Sequence, residues 1–169
     1  SHCFNCRRKR NHRISGGSMI KIICVGKLKE TYLQEALQEY QKRLQRYTKL
    51  EIIEVIDMPY QDIEKVKAKE AENIQKYIKE KDYIIILDID GKEFDSCQLA
   101  TKLQELNTHY ANLTFIIGGS YGLSDTIKQQ ASLRLSFSKL TFPHQLFRVM
   151  LLEQLYRCYK IQNHESYHK

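Results

Sequence analysis

Three short stretches of the 169-residue chain combine residue types suited to holding a flat ligand. They are Leu-Asp-Ile-Asp-Gly at 87–91, Gly-Gly-Ser-Tyr-Gly at 118–122 and Ser-Lys-Leu-Thr-Phe at 138–142. Free backbone N–H and C=O groups beside apolar side chains give a heteroaromatic ring both edge hydrogen bonds and a greasy slot. Glycine at 118, 119 and 122 lets backbone come close to a ligand or take positive φ, so Gly118 is expected to leave room for one. The last stretch grows out of an alternation of apolar Leu133, Leu135 and Phe137 with polar Arg134, Ser136 and Ser138, a strand expected over Leu133–Ser138. Pro143 then ends any ladder and suits the first turn of a helix. The same residues also describe an ordinary strand-to-helix connection.

A second chemically capable group closes the chain. Arg148, Glu153, Arg157 and Lys160 lead into Asn163-His164-Glu165-Ser166-Tyr167-His168-Lys169. From Arg134 onward six basic residues stand against two acidic ones. Arg, Tyr and His together suit phosphate contacts with base stacking, and a frayed soluble terminus is the plainer account.

Other chemistries find less support. Gly118–Gly122 is neither G-x-G-x-x-G nor a P-loop, which disfavours a nucleotide-dependent oxidoreductase. No Ser lies in G-x-S-x-G, and after residue 18 the histidines are His109, His144, His164 and His168, so a hydrolytic triad is poorly supplied. His2, Cys3, Cys6 and His12 could hold zinc, but their spacing fits no standard finger and no second Cys pair follows. No metal is expected.

The elements that must position these groups alternate along the chain. Ile20–Val25 and Leu50–Ile56 read as strands, with a helix between them on the spacing of Tyr32, Leu33, Ala36, Leu37, Tyr40, Leu44 and Tyr47. A second helix is expected over Ile63–Ile78, capped by Asp62. The runs from Tyr83 and from Leu113 to Ile117 are apolar without alternation, as in strands covered on both faces. A helix through Leu99, Leu103 and Leu106, capped by Asp95 or Ser96, lies between them. Ser124–Ala131 forms a short helix, and the last helix runs from about Pro143 to Ile161. Strand–helix alternation predicts an α/β fold with a mostly parallel sheet flanked by helices. In such sheets ligands bind beyond the carboxyl ends of the strands, where the three stretches fall. The last helix is apolar nearly all round, so burial on two sides and a subunit interface including Leu151 and Leu155 are expected, or else deep burial in one subunit.

Composition is that of an ordinary soluble chain, 42% hydrophobic and 28% charged, with no run approaching the roughly 18 apolar residues of a membrane span. The net charge of +7 misleads. Residues 1–18 hold five of the 27 basic residues and no acid, so 22 face 20 in the rest. That opening lacks an apolar h-region and ends in Gly16-Gly17-Ser18 before Met19, so it reads as an added, disordered leader ahead of a single domain at 19–169. Cys24, Cys97 and Cys158 stand far apart and read as reduced thiols of a cytoplasmic protein.

Several of these stretches taken together are specific. Leu-Asp-Ile-Asp-Gly (87–91), Ile-Gly-Gly-Ser-Tyr-Gly-Leu (117–123), Leu-Ser-Phe-Ser-Lys-Leu-Thr-Phe-Pro-His-Gln (135–145), Glu-Gln-Leu-Tyr-Arg (153–157), the terminal Tyr-His-Lys and the opening Val-Gly-Lys-Leu-Lys (25–29) strongly resemble the ribosomal large-subunit pseudouridine methyltransferase H family. These are SPOUT-class methyltransferases, and the resemblance spans Met19 to Lys169. It implies a C-terminal trefoil knot, an exception to the rule that chains avoid knots, and a homodimer. It implies S-adenosylmethionine (SAM) held by Leu87, Gly118, Phe137, Ser138, Lys139, Leu140, Thr141 and Phe142. It also implies methylation of N3 of a pseudouridine in large-subunit rRNA on assembled ribosomes, with Arg157, Tyr167 and His168 facing the target base. Members often end in Arg where this chain has Lys169, which keeps the charge and loses the bidentate fork. A non-catalytic ribosome- or RNA-binding factor with the same pocket is the alternative.

Overall fold

The computed structural model describes residues 19–59 and 62–167. The leader at 1–18 and the site residue His168 lie outside the described residues.

Five strands form one parallel sheet in the order β2-β1-β4-β3-β5: β1 (Met19–Val25), β2 (Lys49–Val55), β3 (Tyr83–Glu93), β4 (Asn112–Ile117) and β5 (Leu133–Ser136). The apolar runs fill both faces. Ile20, Ile22, Cys24, Ile85, Leu113, Phe115 and Leu135 point into one core with α1 (Thr31–Leu44), α3 (Ser96–His109) and α5 (His144–Gln162). Ile23, Val25, Ile84, Ile86 and Ile116 point the other way, onto α2 (Ile63–Gln75) and α4 (Asp125–Gln130). The residue-by-residue alternation of these two sets explains why the central strands are apolar with few breaks. One polar residue on the second face, Lys21, is buried and reaches Asp82 at 2.8 Å.

Local signals set the helix starts. The Asp62 side chain accepts from the backbone N–H of Glu64 and Lys65, and Asp95 forms a reciprocal capping box with Gln98. Two expected bounds shorten. α2 ends at Gln75, where Tyr77 and Ile78 turn back onto Ile74 and Gln75. β5 ends at Ser136, because the Ser136 hydroxyl donates to the Ser138 carbonyl and bends the chain off the ladder.

Connections place the site. β3 leads to α3 on one face and its neighbour β4 leads to α4 on the other. Chains leaving to opposite faces open a crevice at the carboxyl ends of the two strands. β1 and β4 make a second such pair, since β1 leads to α1.

The helix α5 departs from one expectation. Leu151 and Leu155 are fully buried within the subunit, against α1 and α3, and so belong to its core and not to an interface. The apolar surface that α5 leaves open is instead carried by Leu146, Val149 and Met150.

Candidate active site

The crevice between β3 and β4 holds a cavity of about 330 Å³, closed on its third side by the chain after β5. Leu87, Gly118, Phe137, Ser138, Leu140, Thr141 and Phe142 all line it, so residues more than fifty positions apart meet there. The wall is apolar at Leu87, Leu123, Leu135 and Phe142, with Asp88 and Asp90 at the rim. Phe147 and His144 of α5 complete it, and neither was singled out from the sequence. Ring centroids of Phe137 and Phe147 lie 4.8 Å apart, which ties α5 to the end of β5. The Leu140 N–H donates to the Ser138 hydroxyl, a local turn that leaves Leu140 70% exposed over the cavity mouth.

Two placements are finer than the expectation. Lys139 lines an adjoining groove with Asp90 and Glu93. Gly118 lines the cavity, and its own loop also requires it to be small. A Cβ there would stand 2.9 Å from the carbonyl carbon of Gly122 and 3.1 Å from Leu123, so glycine lets the 118–122 loop close on itself. Gly122 is the open position: its φ is +79° and nothing lies within 4 Å of where a Cβ would point.

A larger groove, about 980 Å³, shares Leu135, Ser136, Phe137 and Phe142 with the cavity and continues along α5 past Val149 and Met150 to Glu153. Glu153 gathers the expected substrate residues. Its Oε1 accepts from the Arg157 guanidinium at 2.7 Å and from the Tyr167 hydroxyl at 3.2 Å. The Arg157 guanidinium lies 4.8 Å from the Tyr167 ring centroid. The Tyr167 ring meets Tyr156 edge-on at 4.9 Å. Burial, with Tyr40 and Glu153 nearby, pushes the Tyr167 hydroxyl up to about 12, so it stays a proton donor. The tail is tied back by Glu165, which accepts from Tyr47 at 2.8 Å and from Lys160 at 2.7 Å. Glu153 itself was missed as a site residue, although its spacing of four from Arg157 was the available signal.

Arg148 was grouped with the basic tail and belongs elsewhere. It is 1% exposed, pairs with Glu54 at 2.8 Å, and donates to the carbonyls of Val25 and Gly26. Its role is to pin α5 to the end of β1. Burial pushes the thiols of Cys24 and Cys158 up to about 11 and about 12, which leaves both unreactive as nucleophiles. The His144 imidazole is held below its ordinary value by burial and by Arg148, against the opposing charge of Asp57. Among the described residues no three of His, Cys, Asp and Glu converge as metal ligands, and no helix is long and apolar enough to cross a membrane.

The chain is similar to known proteins at two levels. The sequence model of a family described as predicted SPOUT methyltransferase matches residues 19–168. A ribosomal RNA large subunit methyltransferase H from Clostridium tetani is 52% identical over 157 residues, covering 89% of this chain and 99% of that protein. Another of that name, from Caldicellulosiruptor saccharolyticus, is 48% identical over 154 residues, covering 89% of this chain and all of that protein. Among solved structures, a probable methylase family protein from Haemophilus influenzae Rd KW20 superposes with a TM-score of 0.52 at 13% identity, over 89% of this chain and 70% of that one, a likeness of fold.

Proposed function

The chain belongs to the SPOUT methyltransferase family, and on that premise we propose that it transfers a methyl group from SAM to large-subunit rRNA. One observation carries this most: three loops far apart in sequence converge on a single cavity at the β3/β4 crevice. The residues fit the cofactor. Leu87, Leu135 and Phe142 offer apolar walls for an adenine ring, and the loop backbones offer edge hydrogen bonds. Gly122 leaves open space at the same wall.

Bound SAM supplies a methyl group already activated by its sulfonium. The protein's part is alignment, and holding the acceptor in line is worth about 7–11 kcal/mol. Leu87, Gly118, Phe137, Ser138, Leu140, Thr141 and Phe142 hold the cofactor, with Lys139 at the entrance. Arg157, Tyr167 and His168 meet the target base. The finer reading has the acceptor as N3 of a pseudouridine, reached on assembled ribosomes, with His168 taking the N3 proton. Support for the rRNA part comes from the names of the relatives and from the basic, aromatic tail held at Glu153. A body with 22 basic and 20 acidic residues after residue 18 carries little charge for free RNA, so recognition rests on the shape of the ribosome.

The protein acts as a cytoplasmic homodimer whose subunits meet across the open side of α5, supported by the apolar Leu146, Val149 and Met150 beside the long groove. A C-terminal knot belongs to the same reading. It is supported by the family match alone.

The test is calorimetric titration with SAM and its demethylated product, before and after chelator treatment, followed by transfer of labelled methyl to ribosomes from a strain lacking the enzyme. Micromolar binding unaffected by chelation and label in large-subunit rRNA are expected. Binding without transfer to any RNA would make the chain a non-catalytic factor.

A further inference from the structure

The loop at Gly118–Gly122 has two sides. One faces the cavity; the other lies over the second crevice of the sheet, between the carboxyl ends of β1 and β4. Beneath it sits Glu70 of α2, only 4% exposed, with a buried Oε2 that has no hydrogen-bond partner. That oxygen is 3.1 Å from where a Cβ of Gly119 would stand, and Val25 is equally close on the other side. A carboxyl group buried without a partner is costly unless some state of the protein supplies one.

We propose that Glu70 is a positioning residue for cofactor binding: it props the glycine loop from the side opposite the cavity, and its buried oxygen accepts a hydrogen bond from the loop backbone when the cavity is filled. The inference rests on the cavity being the SAM site. Burial, and then the charge of Asp57 on the loop before α2, push the Glu70 carboxyl up to about 7. From α5, His144 faces Asp57 and also lines the cavity, and Arg148 acts on His144. From β1 and the residue after it, Val25 lies beside Gly119 over Glu70 and Gly26 lies against Asp57. Loop N–H groups offered on binding favour the ionised carboxylate, so filling the cavity expels a proton from Glu70.

SAM affinity is therefore expected to rise as pH increases towards about 7 and to level off above it, by at most about tenfold per pH unit for one linked proton. Calorimetry at pH 7 in two buffers of different ionisation enthalpy counts the proton released. Glu70→Gln, which keeps an acceptor but cannot titrate, should lose both the pH dependence and that proton while still binding. His144→Asn alters the cavity wall and so changes affinity, but it should still release the proton. A second readout needs no cofactor. Because the folded value lies above the unfolded one, near 4.3, Glu70 stabilises the free protein below that value and loses this as pH rises through about 7. Free wild-type protein should thus lose stability from about pH 4 up to about pH 7, and the Gln variant should not. If no form of the protein binds SAM, the assignment of the cavity fails. If wild type binds and Glu70→Gln matches it in pH dependence and proton count, Glu70 has no part in binding.

Discussion

Single residues divide into those that shape the cavity loops and those proposed to meet the substrate. Arg157 is paired to Glu153 and stacked on Tyr167, along α5 from the cavity wall at Phe147. Arg157→Ala should leave SAM affinity within about twofold and cut methyl transfer to ribosomes by at least about tenfold, the scale of one lost charge-assisted contact. Equal losses in binding and turnover would place Arg157 at the cofactor instead. Gly118→Val acts differently from a plug in a ligand site. Its side chain collides with Gly122 and Leu123, so the whole loop must move. Loss of SAM binding is expected together with a lowered melting temperature, and an unchanged melting temperature would refute this account.

Among the elements, α5 carries the most distinct demands. Its inner face is core: Leu151→Ala should cost about 2–5 kcal/mol in denaturant unfolding, because the side chain is wholly enclosed. Its outer face is the surface proposed to meet a second copy. Met150→Asp should keep the fold and shift sedimentation from dimer to monomer, since a charge on a half-buried groove residue is tolerated in one subunit and not between two. A Met150→Asp protein that sediments as a dimer would move the interface elsewhere. Arg148 explains how α5 holds its place despite weak amphipathicity. Its guanidinium answers the free carbonyls at the end of β1 and the Glu54 carboxylate together.

For the molecule as a whole, acid stability depends on the buried pair beneath the sheet. Burial alone would raise Asp82, but hydrogen bonds from Lys21, the Lys79 backbone and Thr114 outweigh it and hold the carboxyl below its ordinary value. A depressed carboxyl contributes stability that is present above its unfolded value, about 3.9, and lost as pH falls below that. Thermal unfolding of wild type should therefore weaken steeply below about pH 4. Asp82→Ala should be less stable by about 3–5 kcal/mol at pH 7, because Lys21 is left charged and buried, and its acid limb should be flatter.

The sequence alone determined the strand–helix order, the parallel sheet and the ligand loops at its carboxyl end. Those follow from short-range patterns: unbroken apolar runs for doubly covered strands, Asp62 and Asp95 for helix starts, glycine and small polar residues at 87–91, 118–122 and 138–142. It also carried the family resemblance, because the motifs are contiguous. Only the tertiary structure decided which side of each residue faces what. Nothing local distinguishes Arg148, sealed against β1, from Arg157, held at the groove, nor Lys139, turned to an outer groove, from its neighbours in the cavity. Nor does any pattern within α5 tell core Leu151 from groove-lining Met150, since both are apolar and adjacent. Nor does the sequence of α2, rich in Lys and Glu, mark Glu70 as the one beneath the Gly119 loop. Burial is a property of the partners that arrive from distant positions, and those are fixed by strand order, which no window of neighbouring residues contains.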